Sequence, residues 1–205
     1  MMPMHRRDHF VHQHKLSRGF SLIVTMILLV VVGLLGIAAS QMTLLAEKTT
    51  RFDRDQQIAF QAAEAALLDA EFDMRGSDVV VGSRETSFSP RDTVGFTDGC
   101  GTGLDLGKCT PSVEGTKPVW YSVDFTDTSS NAKTVPYGAF TSRSYSVGSA
   151  GARSEIAPRY IIEAIRDLSP GASVSSQVTL FRVTAMGFGP RKETQAVVQM
   201  IFRKE

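Results

Sequence analysis

"KLSRGFSLIVTMILLVVVGLLGIAAS", residues 15–40, decides the fold. A basic stretch ends at Gly19, Phe20 follows, and the run from Gly19 to Ala46 carries no charge. Its most apolar part, residues 20–39, would span roughly 30 Å as a helix, the thickness of a bilayer core. A secretory signal would place small residues behind such a run and lose the run on cleavage. The nearest match to that pattern is "GIAASQ", residues 36–41, and no polar start follows it. Instead residues 42–74, "MTLLAEKTTRFDRDQQIAFQAAEAALLDAEFDM", continue as an unbroken helical pattern. A buried core helix is the alternative reading of the run, and the basic flank and uncharged length argue against it. Positive charge in front predicts a cytoplasmic N-terminus and a C-terminal part that crosses the membrane.

The chain has 205 residues and a formal net charge of +1. In residues 1–19, Arg6, Arg7, Lys15 and Arg18 outweigh Asp8, which leaves the remainder slightly acidic. No basic patch stands out there, so direct nucleic-acid binding is not predicted. His5, His9, His12 and His14 all lie before Gly19. If that leader is removed, no imidazole remains for Ser-His-Asp or Cys-His catalysis or for a His-based metal site.

Four segments follow. Residues 1–19 are a leader, 20–46 an apolar helix and 47–76 an amphipathic continuation of it, and 77–205 a globular head. Gly33 and Gly36 are weak points of the helix, either a hinge or a close helix contact. Ile58, Ala62, Ala65 and Phe72 follow helical spacing, and Ala59, Ala63, Ala66 and Ala70 widen the stripe. Arg75-Gly76-Ser77 reads as a stop. Residues 77–158 are rich in loop formers. Strands are expected at "PVWYSVDF" (118–125) and near "SRSYSVG" (142–148). Trp120 reads as a core anchor, with ligand stacking as the alternative. Residues 159–205 predict an antiparallel meander of "RYIIEAI", "VTLFRVTAMGF" and "TQAVVQMIFR", with a turn at "GPRKE", residues 189–193. Phe181, Val183 and Ala185 alternate with Leu180, Arg182 and Thr184, the pattern of a half-buried strand.

Cys100 and Cys109 fall in the part expected to cross the membrane, where a disulfide is permitted. The glycine-rich "CGTGLDLGKC" between them makes closure easy, and two cysteines without histidine make a poor metal site. Asp98 and Asp105 invite a calcium reading, but the spacing is not that of an EF-hand loop, and a solvated turn is the simpler account.

The plan of a membrane helix that runs on as an amphipathic helix over a C-terminal antiparallel sheet, with "RGFSLI" at its start, resembles a type IV pilin. "RDQQIAFQAAEAALLDAE" (54–71), "PRYIIE" (158–163) and "LFRVTAMGFGPRKETQAVVQMIF" (180–202) look like segments of PilX-type minor pilins. The resemblance covers residues 17–74 and 158–205. It implies an α+β pilin fold without enzymatic activity or cofactor. It also implies cleavage by a prepilin peptidase between Gly19 and Phe20, with Phe20 N-methylated and the apolar run kept.

Most pilins carry glutamate at the fifth mature position, where it pairs with a neighbour's N-terminal amine. Val24 stands there in this chain, a departure shared with PilX-type minor pilins and with the minor pseudopilins of type II secretion. The function implied is that of a minor pilin that primes type IV pilus assembly in a tip complex serving twitching and adhesion. Its partners would be other minor pilins, the major pilin and a large tip adhesin. It would sit in the inner membrane as a single-pass protein with a periplasmic head, then in the pilus at the cell surface. A type II secretion pseudopilin and a signal-anchored periplasmic enzyme are the alternatives.

Overall fold

Helix α1 (Phe20–Arg75) begins at the first residue described by the computed structural model, which covers residues 20–76, 84–148, 153–166 and 178–204. Gly19 and the leader lie outside the described residues. No proline interrupts α1, and it runs through Gly33 and Gly36 without a break. It stops at Gly76, whose φ of +87° is left-handed and whose N–H donates to the Phe72 carbonyl at 2.9 Å. A Cβ at Gly76 would also run into the Glu85 side chain. Both facts select glycine at this helix end.

The chain divides into two compact units between Thr49 and Thr50. The second holds a mixed five-stranded sheet. Strands β1 (Lys108–Cys109), β2 (Val135–Pro136), β3 (Arg159–Arg166), β4 (Thr179–Phe188) and β5 (Gln195–Phe202) form it. Strands β3, β4 and β5 are the expected antiparallel meander, with Ile162 opposite Val183 and Val183 opposite Met200. The turn expected at 189–193 is the loop Gly189–Thr194, closed by Gly189 N–H to the Thr194 carbonyl at 2.8 Å. The outer edge of β3 is shared. β1 pairs with it in parallel at Ile162 and Glu163, and β2 antiparallel at Tyr160 and Arg159.

The C-terminal part of α1 covers one face of the sheet. Ala59, Ala62, Ala63, Ala66, Ala70 and Met74 are fully buried there. Opposite them lie Tyr160, Ile162, Phe181, Val183 and Ala185. Approach is closest at Gly187, where an added Cβ would collide with the Ala59 carbonyl oxygen and the Ala63 nitrogen. The stripe is thus narrower than its spacing implied. Ile58 and Ala65 are half-buried, and Phe72 is 41% exposed. Phe72 lies outside the stripe because the Asp69–Asp73 side holds the buried positions, and the Arg143 guanidinium sits over its ring at 4.6 Å.

The other face of the sheet is covered at β3 and β4 by a second core of Cys100, Cys109, Phe125, Ile161 and Phe188, flanked by Val119, Trp120 and Met186. Trp120 therefore packs at the margin of a core, half-buried, against Tyr121. Two expected strands are absent. Within residues 118–125 lies a short helix α2 (Val119–Ser122), begun at Pro118. The Pro118 carbonyl accepts from Tyr121 N–H at 3.0 Å, and the Ser122 hydroxyl donates back to the Val119 carbonyl at 2.7 Å. Local turn chemistry overrides aromatic strand propensity here, since β1 and β2 already occupy the edge of β3. Residues 142–148 form no ladder; the Tyr145 ring instead packs at a tilt on Tyr137, centroids 5.2 Å apart, and its hydroxyl bonds the Ser154 hydroxyl at 3.2 Å.

Cys100 and Cys109 form a disulfide, and both are fully buried. It pins the glycine-rich loop to β1, whose Cys109 lies opposite Glu163.

Two predictions follow from this packing. Gly187→Val should destabilise the detergent-solubilised chain by about 1–3 kcal/mol in denaturant unfolding, because the helix backbone must give way; wild-type stability would show that α1 does not approach as described. Alkylation of the native protein without reductant should label neither cysteine, and reduction should cost roughly 2–3 kcal/mol for a loop this short. Full labelling of the native protein would refute the bridge.

Candidate functional site: assembly surfaces

The N-terminal unit offers one surface. From Phe20 to Met42 every described side chain is exposed, and none is charged. Among the described residues α1 is long and apolar enough to cross a membrane. Four of its hydroxyls are satisfied within the helix. The hydroxyls of Thr25, Ser40, Thr43 and Thr49 donate to the carbonyls of Leu22, Gly36, Ala39 and Leu45 at 2.9–3.2 Å. Such back-bonding lets a hydroxyl enter an apolar medium without an unmet donor. Phe20 opens the helix, and Val24 presents a branched apolar side chain one turn later. Around Gly33 and Gly36 nothing lies within 4 Å of an added Cβ, so another helix can approach there.

The head buries several charged groups. Asp69 and Asp73 both lie on the buried face of α1. Arg84 forks onto Asp73 through Nε at 3.0 and 3.1 Å and Nη2 at 2.6 Å. Its Nη1 donates to the Leu104 and Leu106 carbonyls at 3.0 and 2.6 Å, and the Phe140 ring lies 3.7 Å below. The Tyr160 hydroxyl donates to Asp73 at 2.9 Å, and burial pushes its pKa well up. Asp69 accepts from Gly138 N–H at 2.7 Å and from the Thr141 hydroxyl. Burial is the largest influence on its pKa, which lies above the ordinary carboxylate value. Across the sheet, Glu163 is buried and receives Arg182 through two bonds of 2.9 and 2.7 Å. These groups tie helix, loops and sheet together. Asp69 and Asp73 had one sequence signal: they fall four residues apart in the alanine stripe.

The aspartates considered for calcium are separated in role. Asp105 takes Lys108 Nζ at 2.9 Å, and that buried ammonium also donates to Ser87 at 2.6 Å and faces Phe88. Asp98 instead lines a cleft of about 470 Å³ beside Asp124, Asp127 and Lys133. There Asp124 is held below the usual carboxylate range by the Thr126 hydroxyl, and Asp127 by Ser129 N–H. Each is tied up within its own turn, Asp124 by Thr126 and Asp127 by Ser129. Among the described residues no group of three or more histidines, cysteines or carboxylates is placed to hold a metal.

What remains is a molecule built around exposed apolar helix and a stapled head. Two family models match it: PilX N-terminal over residues 18–68, and Type IV pilus assembly protein PilX C-term over residues 96–204. The second reaches further toward the N-terminus than the resemblance read from residues 158–205, and takes in the disulfide loop and α2. No curated protein and no solved structure matches the chain. A pilin helix, a pilin head and a family match over more than half its length place this chain in the PilX family of type IV pilus minor pilins.

Proposed function

We propose that this minor pilin acts at the start of pilus growth, in a complex of minor pilins at or next to the tip, where it primes addition of the major pilin. The supporting observation is the exposed, uncharged stretch of α1 from Phe20 to Met42, with Val24 at its fifth residue. Exposed apolar surface of this extent needs a bilayer or a bundle of like helices to cover it. In the bilayer it anchors the chain with its head in the periplasm. On assembly the same surface enters the filament core and the head reaches the cell surface, in pili used for twitching and adhesion. The partners are other minor pilins, the major pilin and a large tip adhesin, with a prepilin peptidase acting beforehand.

Val24 bears on position. An acid inside a bilayer costs about 2.5–3.5 kcal/mol on insertion scales, and pairing with the amine of the preceding subunit would offset that. A subunit with no predecessor has no amine to meet. Valine avoids the cost, and its inability to pair is harmless only at the end of a fibre.

Two outcomes test this reading. Mass spectrometry of the membrane-extracted chain should find Phe20, methylated, at the N-terminus, and Gly19→Trp should accumulate uncleaved and unassembled; a chain starting near Gln41 would mean ordinary signal cleavage instead. Gold-labelled antibody against residues 84–148 should mark pilus ends at a few copies each, and labelling spread evenly along the shaft would sink the tip assignment.

A further inference from the structure

Strand β5 ends the sheet, and among the described residues no strand lies on its outer side. Its ladder with β4 can be phased. Gly189 N–H bonds the Thr194 carbonyl, so hydrogen-bonded pairs recur at Ala196, Val198, Met200 and Phe202. The N–H and C=O of Val197, Gln199 and Ile201 therefore point away from β4. Gln195 shares that phase, but its carbonyl already accepts from Gln56 at 3.2 Å.

An open edge is a template for a foreign strand, and proteins normally blunt it with charge, proline, a bulge or shortness. β5 has none of these. It is eight residues long, pairs with β4 in unbroken register, and contains neither a charged residue nor proline. Its reverse face is also uncovered, since the disulfide-bearing core stops at Met186 and Phe188. Val197 is 38% and Ile201 65% exposed beside that edge. The opposite edge is partly taken up, since β1 and β2 pair with Arg159, Tyr160, Ile162 and Glu163.

We propose that β5 is a docking edge that takes one extended strand from a different polypeptide of the pilus tip. The inference rests on the minor pilin reading and adds to it the mode of contact. The strand supplies backbone N–H and C=O groups to Val197, Gln199 and Ile201, and alternate apolar side chains that cover Val197 and Ile201. Exposed Arg203 follows β5 in a shallow cleft with Arg75, which is paired with Glu71 at 2.8 Å, and Lys204, whose Nζ donates to the Glu85 carbonyl at 2.7 Å. The strand that fits carries a carboxylate at the end lying beside Arg203. A second copy of this chain is the other possible occupant, and the test tells the two apart.

The test replaces the gene in its own host and reads pili per cell. Val197→Pro removes an outward N–H without touching the β4 ladder, whereas Val197→Ala trims the side chain and keeps the donor. Val197→Pro should lower piliation about fivefold or more at unchanged protein level, as loss of one hydrogen bond implies, with Val197→Ala close to wild type. Because the proline variant could fail through folding, a photocrosslinking amino acid at Gln199 in an otherwise wild-type chain gives a second readout. Sequencing of the crosslinked peptide should return a short, alternately apolar segment of another chain with an acidic end. A crosslink to a second copy, no crosslink in piliated cells, or a fully piliated Val197→Pro strain would overturn the proposal. A gene deletion that leaves piliation intact would instead overturn the priming role proposed above.

Discussion

The contact of α1 with β4 at Gly187 constrains the rest of the head. Helix backbone meets strand there with no side chain between them, because Gly187 lacks one and Ala59, Ala62 and Ala63 bring almost none. Alanine also favours the helix itself, so one residue type serves both propensity and proximity. The gain is close packing of two backbones, and the loss is apolar volume, since alanine buries little surface. Large side chains then have to come from the sheet and loops. Phe181, Phe88 and Phe96 provide them, their rings 5.7–6.3 Å apart in one cluster.

A helix set this near the sheet also brings its aspartates within reach of the loops. Asp69 holds the turn at Gly138 and Thr141, and Asp73 holds Arg84 and Tyr160. Burying such a pair contributes little net stability, but losing one partner leaves an uncompensated charge in the core. The arrangement therefore favours one loop placement over others. The disulfide does the same on the reverse face, where the loop between Cys100 and Cys109 has many glycines and little apolar content of its own.

Much of this was legible in the residues, for a physical reason. Phe20–Arg75 repeats one pattern over many turns, and the meander strands alternate over eight residues or more, so local preference and tertiary need agree. The two cysteines announced their pairing by glycine-rich spacing and by the apolar segment ahead of them. Strands β1 and β2 were not legible, because two residues carry no period and their pairing is set by β3. Helix α2 hid behind the aromatic pair Trp120–Tyr121, whose strand propensity yielded to Pro118. Arg84 gave no sign of burial, because its partners Asp73, Leu104 and Leu106 come from separate parts of the chain. The implied processing residue Gly19 came from resemblance alone.

The head completes its core without the N-terminal segment, while that segment has no core of its own. Residues from Thr50 onward bury both faces of the sheet along β3 and most of β4, and their buried side-chain polar atoms all have partners among the described residues. Residues from Phe20 to Met42 bury nothing, and their surface is nearly uniform in chemistry. A uniform apolar surface discriminates poorly among partners, because packing in a bilayer or helix bundle is non-directional apart from small-residue contacts such as Gly33 and Gly36 allow. On the reading proposed above, Val24 forgoes the charged group that would have added direction. Whatever selects this subunit's neighbours must then come from the head. There, directional groups lie open along one margin of the sheet, the outward backbone of β5 and the basic end that follows it. On the proposed reading, retention in the fibre falls to the apolar segment and choice of neighbour to the head, a division that follows from where directional and non-directional forces are found in the chain.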